Sequence, residues 1–215
     1  MALPGEQGRV VCAVFGLHTG QYVASSGMRK IILMMGMSLD GFMEGPDRDI
    51  SWHMVDHELH RFMNDEIRPL GGFLTGRVTH ELMTAYWPTA DADPSASAEE
   101  AEFAGIWRDM PKYVYSRTLR QDDLGWNSTL VRDVVPAEVA ALKEAPGGDL
   151  VVGGADLAAT FLRHDLVDAY RICVHPVRIG RGTPLFPPFA GPGPLHLEGT
   201  RTFGNGVVQL RYGRP

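Results

Sequence analysis

Ile31-Ile32-Leu33-Met34-Met35 is an unbroken apolar run that follows Arg29-Lys30 and ends at Gly36-Met37-Ser38. A strand without alternation offers no face to water, so this run reads as one covered on both sides, at the centre of a largely parallel sheet. Parallel neighbours cannot be joined by hairpins, and their crossovers place helices on the sheet's faces. The run therefore commits the chain to an α/β layered fold.

The rest of the sequence supplies the other parts. Leu150-Val151-Val152 is a second buried strand, and Gly72-Phe73-Leu74-Thr75 and Lys112-Tyr113-Val114-Tyr115 are two more. Leu59, Phe62, Met63 and Ile67 recur at helical spacing, with Asp56 and Glu58 where acids suit a helix start. Further helices run from Gly76 through Met83, and from Ser97 through Trp107, the latter opened by a capping box of Ser97 and Glu100. One begins at Pro136 and stops at Pro146-Gly147-Gly148, and another follows Gly153-Gly154 through Leu157, Phe161 and Leu162. Residues 87–97, rich in Pro, Ala, Asp and Ser, read as a loop. Tyr170, Ile172 and Val174 alternate with Arg171, Cys173 and His175, which predicts a strand with one wetter face. Phe203-Gly204-Asn205-Gly206-Val207 is a hairpin signal. The expected architecture is three layers: a mostly parallel mixed central sheet, helices on both faces and an antiparallel C-terminal hairpin.

Composition narrows the function. A formal net charge of −6 over 215 residues, with no Lys/Arg run, argues against nucleic acid or an anionic membrane as partner. Two distant cysteines, Cys12 and Cys173, form neither a disulfide framework nor a metal knuckle, which fits a reducing, cytoplasmic setting. No stretch reaches the roughly eighteen apolar residues that a membrane span requires. Residues 1–28 read as an extension outside the core, since a signal peptide would need a cationic start and a longer apolar run. Residues 29–215 are the expected domain.

Three strand ends share one chemistry. Gly76-Arg77-Val78-Thr79 brings a glycine, a cation and a hydroxyl to a helix start, and Gly153-Gly154-Ala155 opens a second helix whose free N–H groups suit a pyrophosphate. Ser116-Arg117-Thr118 offers two hydroxyls and a guanidinium, a grip for one phosphate. Parallel strand ends converge on one edge, where ligands bind. Separated phosphate sites on one edge point to a dinucleotide such as NADPH. The usual Gly-x-Gly-x-x-Gly fingerprint and the phosphate-loop motif are both absent. His57-Glu58-Leu59-His60 is one residue short of a zinc-protease motif, and His53 with His57 has no evident third ligand, so no metal is expected. No Gly-x-Ser-x-Gly elbow occurs.

Taken in order, Met37-Ser38-Leu39-Asp40-Gly41-Phe42, Gly76-Arg77-Val78-Thr79 with Glu81, residues 112–119, Gly153-Gly154-Ala155-Asp156-Leu157 and residues 179–186 resemble successive motifs of the dihydrofolate-reductase-like superfamily. The resemblance is greatest to bacterial stand-alone proteins similar to the reductase domain of the riboflavin-biosynthesis deaminase-reductase. It implies an NADPH-dependent reductase of a small pterin- or pyrimidine-like heterocycle, working as a homodimer. It also implies roles. Gly76, Arg77, Val78 and Thr79 would hold the pyrophosphate and adenosine side. Ser116, Arg117 and Thr118 would take the 2′-phosphate and adenine. Gly153, Gly154, Ala155, Asp156 and Leu157 would cradle the pyrophosphate. Gly36 and Ser38 would lie by the nicotinamide, and Asp40 beside a loop over residues 42–52 that closes on the site. Folate reducers carry a carboxylate shortly after a tryptophan; here Trp52 is followed by Asp56, His57 and Glu58 without the intervening proline. Asp40 and Asp56 are the catalytic candidates, and Trp52, His57 and Glu58 the substrate-side ones. Asp56 is equally well read as a helix-start acid. The alternative function on the same fold is a non-catalytic nucleotide-binding or regulatory protein, and an open cleft beside Asp40, Trp52 and Asp56 would favour the enzyme.

Overall fold

The computed structural model of the chain describes residues 27–186, 188 and 193–215. Most of the expected N-terminal extension lies outside the described residues. The central strand β1 (Ile31–Ser38) is followed by the short β2 (Phe42–Glu44), α1 (His57–Ile67), β3 (Gly72–Gly76), α2 (Arg77–Tyr86) and α3 (Ala98–Asp109). Then come β4 (Lys112–Tyr115), β5 (Ser128–Val131), α4 (Pro136–Glu144), β6 (Leu150–Gly153) and α5 (Ala155–Arg163). The chain closes with β7 (Ala169–His175), β8 (Thr183–Pro184), β9 (His196–Thr202) and β10 (Val208–Gly213).

Eight strands form one sheet in the order β5-β4-β3-β6-β1-β7-β10-β9, and β2 pairs with β8 in a small second sheet. The strands from β5 to β7 are all parallel, while β10 runs antiparallel to both β7 and β9. Ile31, Ile32 and Leu33 are at most 1% exposed, as their lack of alternation requires. Alternate residues feed opposite cores. Leu33, Leu74 and Val152 pack with Val139 of α4 and Leu157 and Phe161 of α5. Phe73, Val151 and Met34 pack with Ile67 of α1, Met83 of α2 and Phe103 and Trp107 of α3. The three layers and the C-terminal hairpin are as the pattern implies.

Local chemistry explains the boundaries. Asp56 accepts from the Leu59 amide at 2.9 Å and opens α1, and Ser97 and Glu100 form both halves of the capping box on α3. Pro136 begins α4. Two readings need correction. Residues 87–97 are not all loop: Trp87–Ala92 forms 3₁₀ turns, because Pro88 and Ala90 are buried. The face of β7 carrying Arg171, Cys173 and His175 is not wet. Cys173 is 6% exposed, covered by α1 and the Phe203–Val207 turn, and His175 is 2% exposed, packed against Trp52 and His53.

Candidate active site

Because β4, β3, β6, β1 and β7 are parallel and adjacent, their C-terminal ends form one row: Ser116, Gly76, Gly153, Gly36 with Ser38, and His175. The expected cofactor residues are thus brought together along one edge, over about three strand spacings of 4.8 Å from β4 to β1. Neither Gly76 nor Gly154 gives its helix a side-chain cap, so the first amides of α2 and α5 are free for an anion. Gly154 sits at φ +87° and a Cβ there would strike Thr79 Oγ1, which fixes the two helix starts against each other. Gly153 faces open space. Thr75, next to Gly153 across the β3–β6 ladder, has a buried hydroxyl without a partner. Uncapped helix starts, an open glycine and an orphaned hydroxyl fit a bound dinucleotide phosphate.

The cations on this edge are otherwise engaged. Arg77 pairs with Glu81 at 2.8 Å one turn along α2. Arg117 makes a two-pronged contact with Asp133, at 2.7 and 2.9 Å, just beyond β5. The Ser116 hydroxyl accepts from the amides of Thr118 (3.2 Å) and Leu119 (3.0 Å), so it shapes the turn that carries Arg117. Asp156 is exposed and lies 3.7 Å from Arg48 on the 42–52 segment, which draws that segment towards the start of α5.

Beside Gly36 the sheet opens into a cavity of about 220 Å³ under α1, lined by Met34, Met35, Leu59, Met63, Cys173 and His175 among others. His53 and His175 stack in parallel at 4.7 Å, and Trp52 packs edge-on against both. A Cβ on Gly36 would lie 3.0 Å from His53 Cε1 and 3.1 Å from His175 Nε2. Only glycine leaves that approach open. Burial lowers the pKa of both imidazoles, and the nearby His53 helps push His175 down to about 4. His175 Nδ1 accepts from the Met54 amide at 3.0 Å, so the neutral ring carries its proton on Nε2. Burial raises the Cys173 thiol to about 11, leaving it an inert wall.

The carboxylates expected to be catalytic take other positions. Asp40 accepts from Ser38 Oγ (2.7 Å), Gly180 N (2.7 Å) and Ile179 N (3.2 Å). The Ser38 hydroxyl and then the two amides hold its carboxyl below the usual range. It is an ionised brace between the end of β1 and the 179–180 turn. Asp56 caps α1. His57 turns away to Glu99 at 2.9 Å, and together with Arg61 it holds that carboxyl down at about 2. Glu58 accepts from the Gly204 amide at 3.1 Å, pinning the last hairpin. None of the substrate-side candidates lines the cavity; Trp52 only packs against the two histidines that do. Glu66, Gln209, His53 and His175 line it instead. Glu66 had a signal, as the one acid on the Leu59–Met63 stripe of α1. Among the described residues no cluster of three or more His, Cys, Asp or Glu could hold a metal, and no helix is long and apolar enough to cross a membrane.

Comparison with known proteins decides the family. The model of the RibD C-terminal domain matches residues 29–209. The chain belongs to the RibD C-terminal domain family. Uncharacterized protein YyaP of Bacillus subtilis (strain 168) is 36% identical over 185 residues, covering 86% of this chain and 94% of the relative. Among solved structures, a putative riboflavin biosynthesis protein from Shewanella sp. PV-4 superposes with a TM-score of 0.65 at 21% identity, over 86% of this chain and 99% of that one. A pyrimidine reductase-like protein from Corynebacterium diphtheriae gives 0.56 at 13% identity, over 86% and 91%. At these identities the structures establish the fold, which is dihydrofolate-reductase-like. For this RibD-type domain the strand-end row and the Gly36 cavity are the features that adjoin.

Proposed function

We propose that the chain is an NADPH-dependent reductase of a small heterocycle of the pyrimidine or pterin kind. The observation that carries the reading is Gly36, where the strand-end row meets the cavity without an intervening side chain. Membership of a reductase-domain family and the names of its structural neighbours, among them a pyrimidine reductase-like protein, support it. The cavity also favours an enzyme over a nucleotide-binding regulator, although Asp40, Trp52 and Asp56 do not line it.

In this reading the α2 and α5 starts, with Gly76, Arg77, Val78, Thr79 and Gly153, Gly154, Ala155, Asp156, Leu157, hold the pyrophosphate. Ser116, Arg117 and Thr118 would hold the 2′-phosphate, with Arg117 released from Asp133. Gly36 and Ser38 would lie by the nicotinamide. A dinucleotide held there would supply the hydride. The chain's own residues orient and dry the site: Met34, Met63 and Leu59 exclude water, and Trp52 fixes the histidine pair. His175 holds a proton on Nε2 beside Gly36, where it steadies charge developing on the ring. Asp40 is a positioning residue for the end of β1.

Calorimetric titration of NADPH and NADH into wild type and Arg117→Ala tests the reading. Wild type should bind NADPH more tightly, and Arg117→Ala should weaken NADPH several-fold or more while sparing NADH, since a charge-assisted contact contributes about 1–3 kcal/mol. Failure of wild type to bind either nucleotide would overturn it.

A further inference from the structure

The cavity holds polar groups that the hydride step does not use. Gln209 is 2% exposed, and its Oε1 is buried without a hydrogen-bond partner. The same is true of Glu66 Oε2 and His53 Nε2, and all three residues line this cavity. Buried polar atoms are rarely left unpaired, so three in one otherwise apolar cavity mark where a polar ligand docks.

The chemistry of Glu66 and Gln209 names the ligand's edge. Glu66 is flanked by Arg171 Nη1 at 3.2 Å and Arg211 Nη1 at 3.8 Å. A carboxylate oxygen accepts hydrogen bonds. The Arg171 contact lacks hydrogen-bond geometry, which leaves Oε2 a free lone pair. Gln209 lies opposite Cys173 on β10 and so faces the cavity beside it. Its amide oxygen accepts as well. Among the described residues none that lines the cavity is a lysine or arginine, and Arg171 and Arg211 already pair with Glu66, so no cation is left for a phosphate. A volume of about 220 Å³ takes one or two fused rings, below the roughly 300–1,000 Å³ of sites for larger ligands.

We infer that Glu66 and Gln209 select the substrate, a planar nitrogen heterocycle that carries amino and ring N–H donors and no phosphate. Its donor edge meets Glu66 and Gln209, and the opposite edge meets Gly36. The inference rests on the reductase reading for the reaction, but ring recognition can be measured without it. The probes are 2-amino-4-hydroxypyrimidine, its 2-methyl counterpart and cytidine 5′-monophosphate, titrated calorimetrically into the full chain with and without NADPH. The aminopyrimidine should bind wild type at least about tenfold more tightly than the methyl compound, and the nucleotide should not bind measurably. Glu66→Gln should weaken the aminopyrimidine about tenfold and narrow the discrimination. Gln209→Leu should do the same through the second acceptor, and it decides the matter if Glu66→Gln fails to fold. Equal binding of the amino and methyl compounds, tighter binding of the nucleotide, no binding of any ring, or indifference to the folded variants would overturn the inference. If NADPH binds but the rings are not discriminated, the selection by Glu66 and Gln209 fails and the reductase reading stands. If the rings are discriminated but NADPH does not bind, the reverse holds.

Discussion

His175 ends β7 with its ring buried between His53 and the Met54 amide, and burial sets its titration. Its folded pKa of about 4 lies below the ordinary 6.5. As pH falls from 6.5 to 4, the unfolded chain takes up a proton that the folded chain refuses, so stability drops in that window and is full above it. The loss from this residue is at most about 3 kcal/mol. Urea unfolding followed against pH should show the drop, and His175→Gln should flatten it; an unchanged profile in the variant would refute the assignment. Asp133 gives a second test at this scale. Its carboxylate occupies the guanidinium face that a 2′-phosphate needs, so Asp133→Asn should tighten NADPH several-fold without changing NADH. Individual roles were the least legible level of the sequence. Asp56 could be a helix-start acid or a catalyst from its position alone, and the structure shows it capping α1. His57 and Glu58 are drawn off by Glu99 and Gly204, partners distant in sequence that no spacing rule reveals. Gln209 gave no signal, because which face of β10 looks into the cavity depends on its register with β7.

Elements were more legible, because caps and periodicity act over a few residues. The Ser97–Glu100 box, the Pro136 start and the Gly153-Gly154 junction are local chemistry and all stand in the structure. Two substitutions probe this level. Ser97→Ala removes one half of the box on α3 and should cost about 1 kcal/mol of stability in denaturant titrations. Gly154→Ala places a Cβ at φ +87° and against Thr79. It should destabilise by about 1–3 kcal/mol and abolish NADPH binding together. The strand β5 and the β2–β8 pair were not legible. They are short and depend on partners far along the chain. The wet-face reading of β7 failed for a related reason: Arg171 and His175 are polar by type, yet Glu66 of α1 meets Arg171 and the Trp52–Met54 segment buries His175.

At the scale of the molecule, the buried run of β1 carried the argument furthest, since a central parallel strand requires crossovers and two covered faces. The order β5-β4-β3-β6-β1-β7 then aligns three motifs far apart in sequence into one edge. Leu195, just before the outer strand β9, and Leu197 on it are exposed; light scattering tests the homodimer that the family resemblance implies, which would give twice the chain mass. The most direct test of the whole account is a crystal structure with NADPH bound. The account predicts the pyrophosphate between the starts of α2 and α5, the 2′-phosphate at Arg117, and the nicotinamide against Gly36 with one face open to the His53–His175 cavity. A nucleotide bound elsewhere, or a nicotinamide walled off from that cavity, would contradict it.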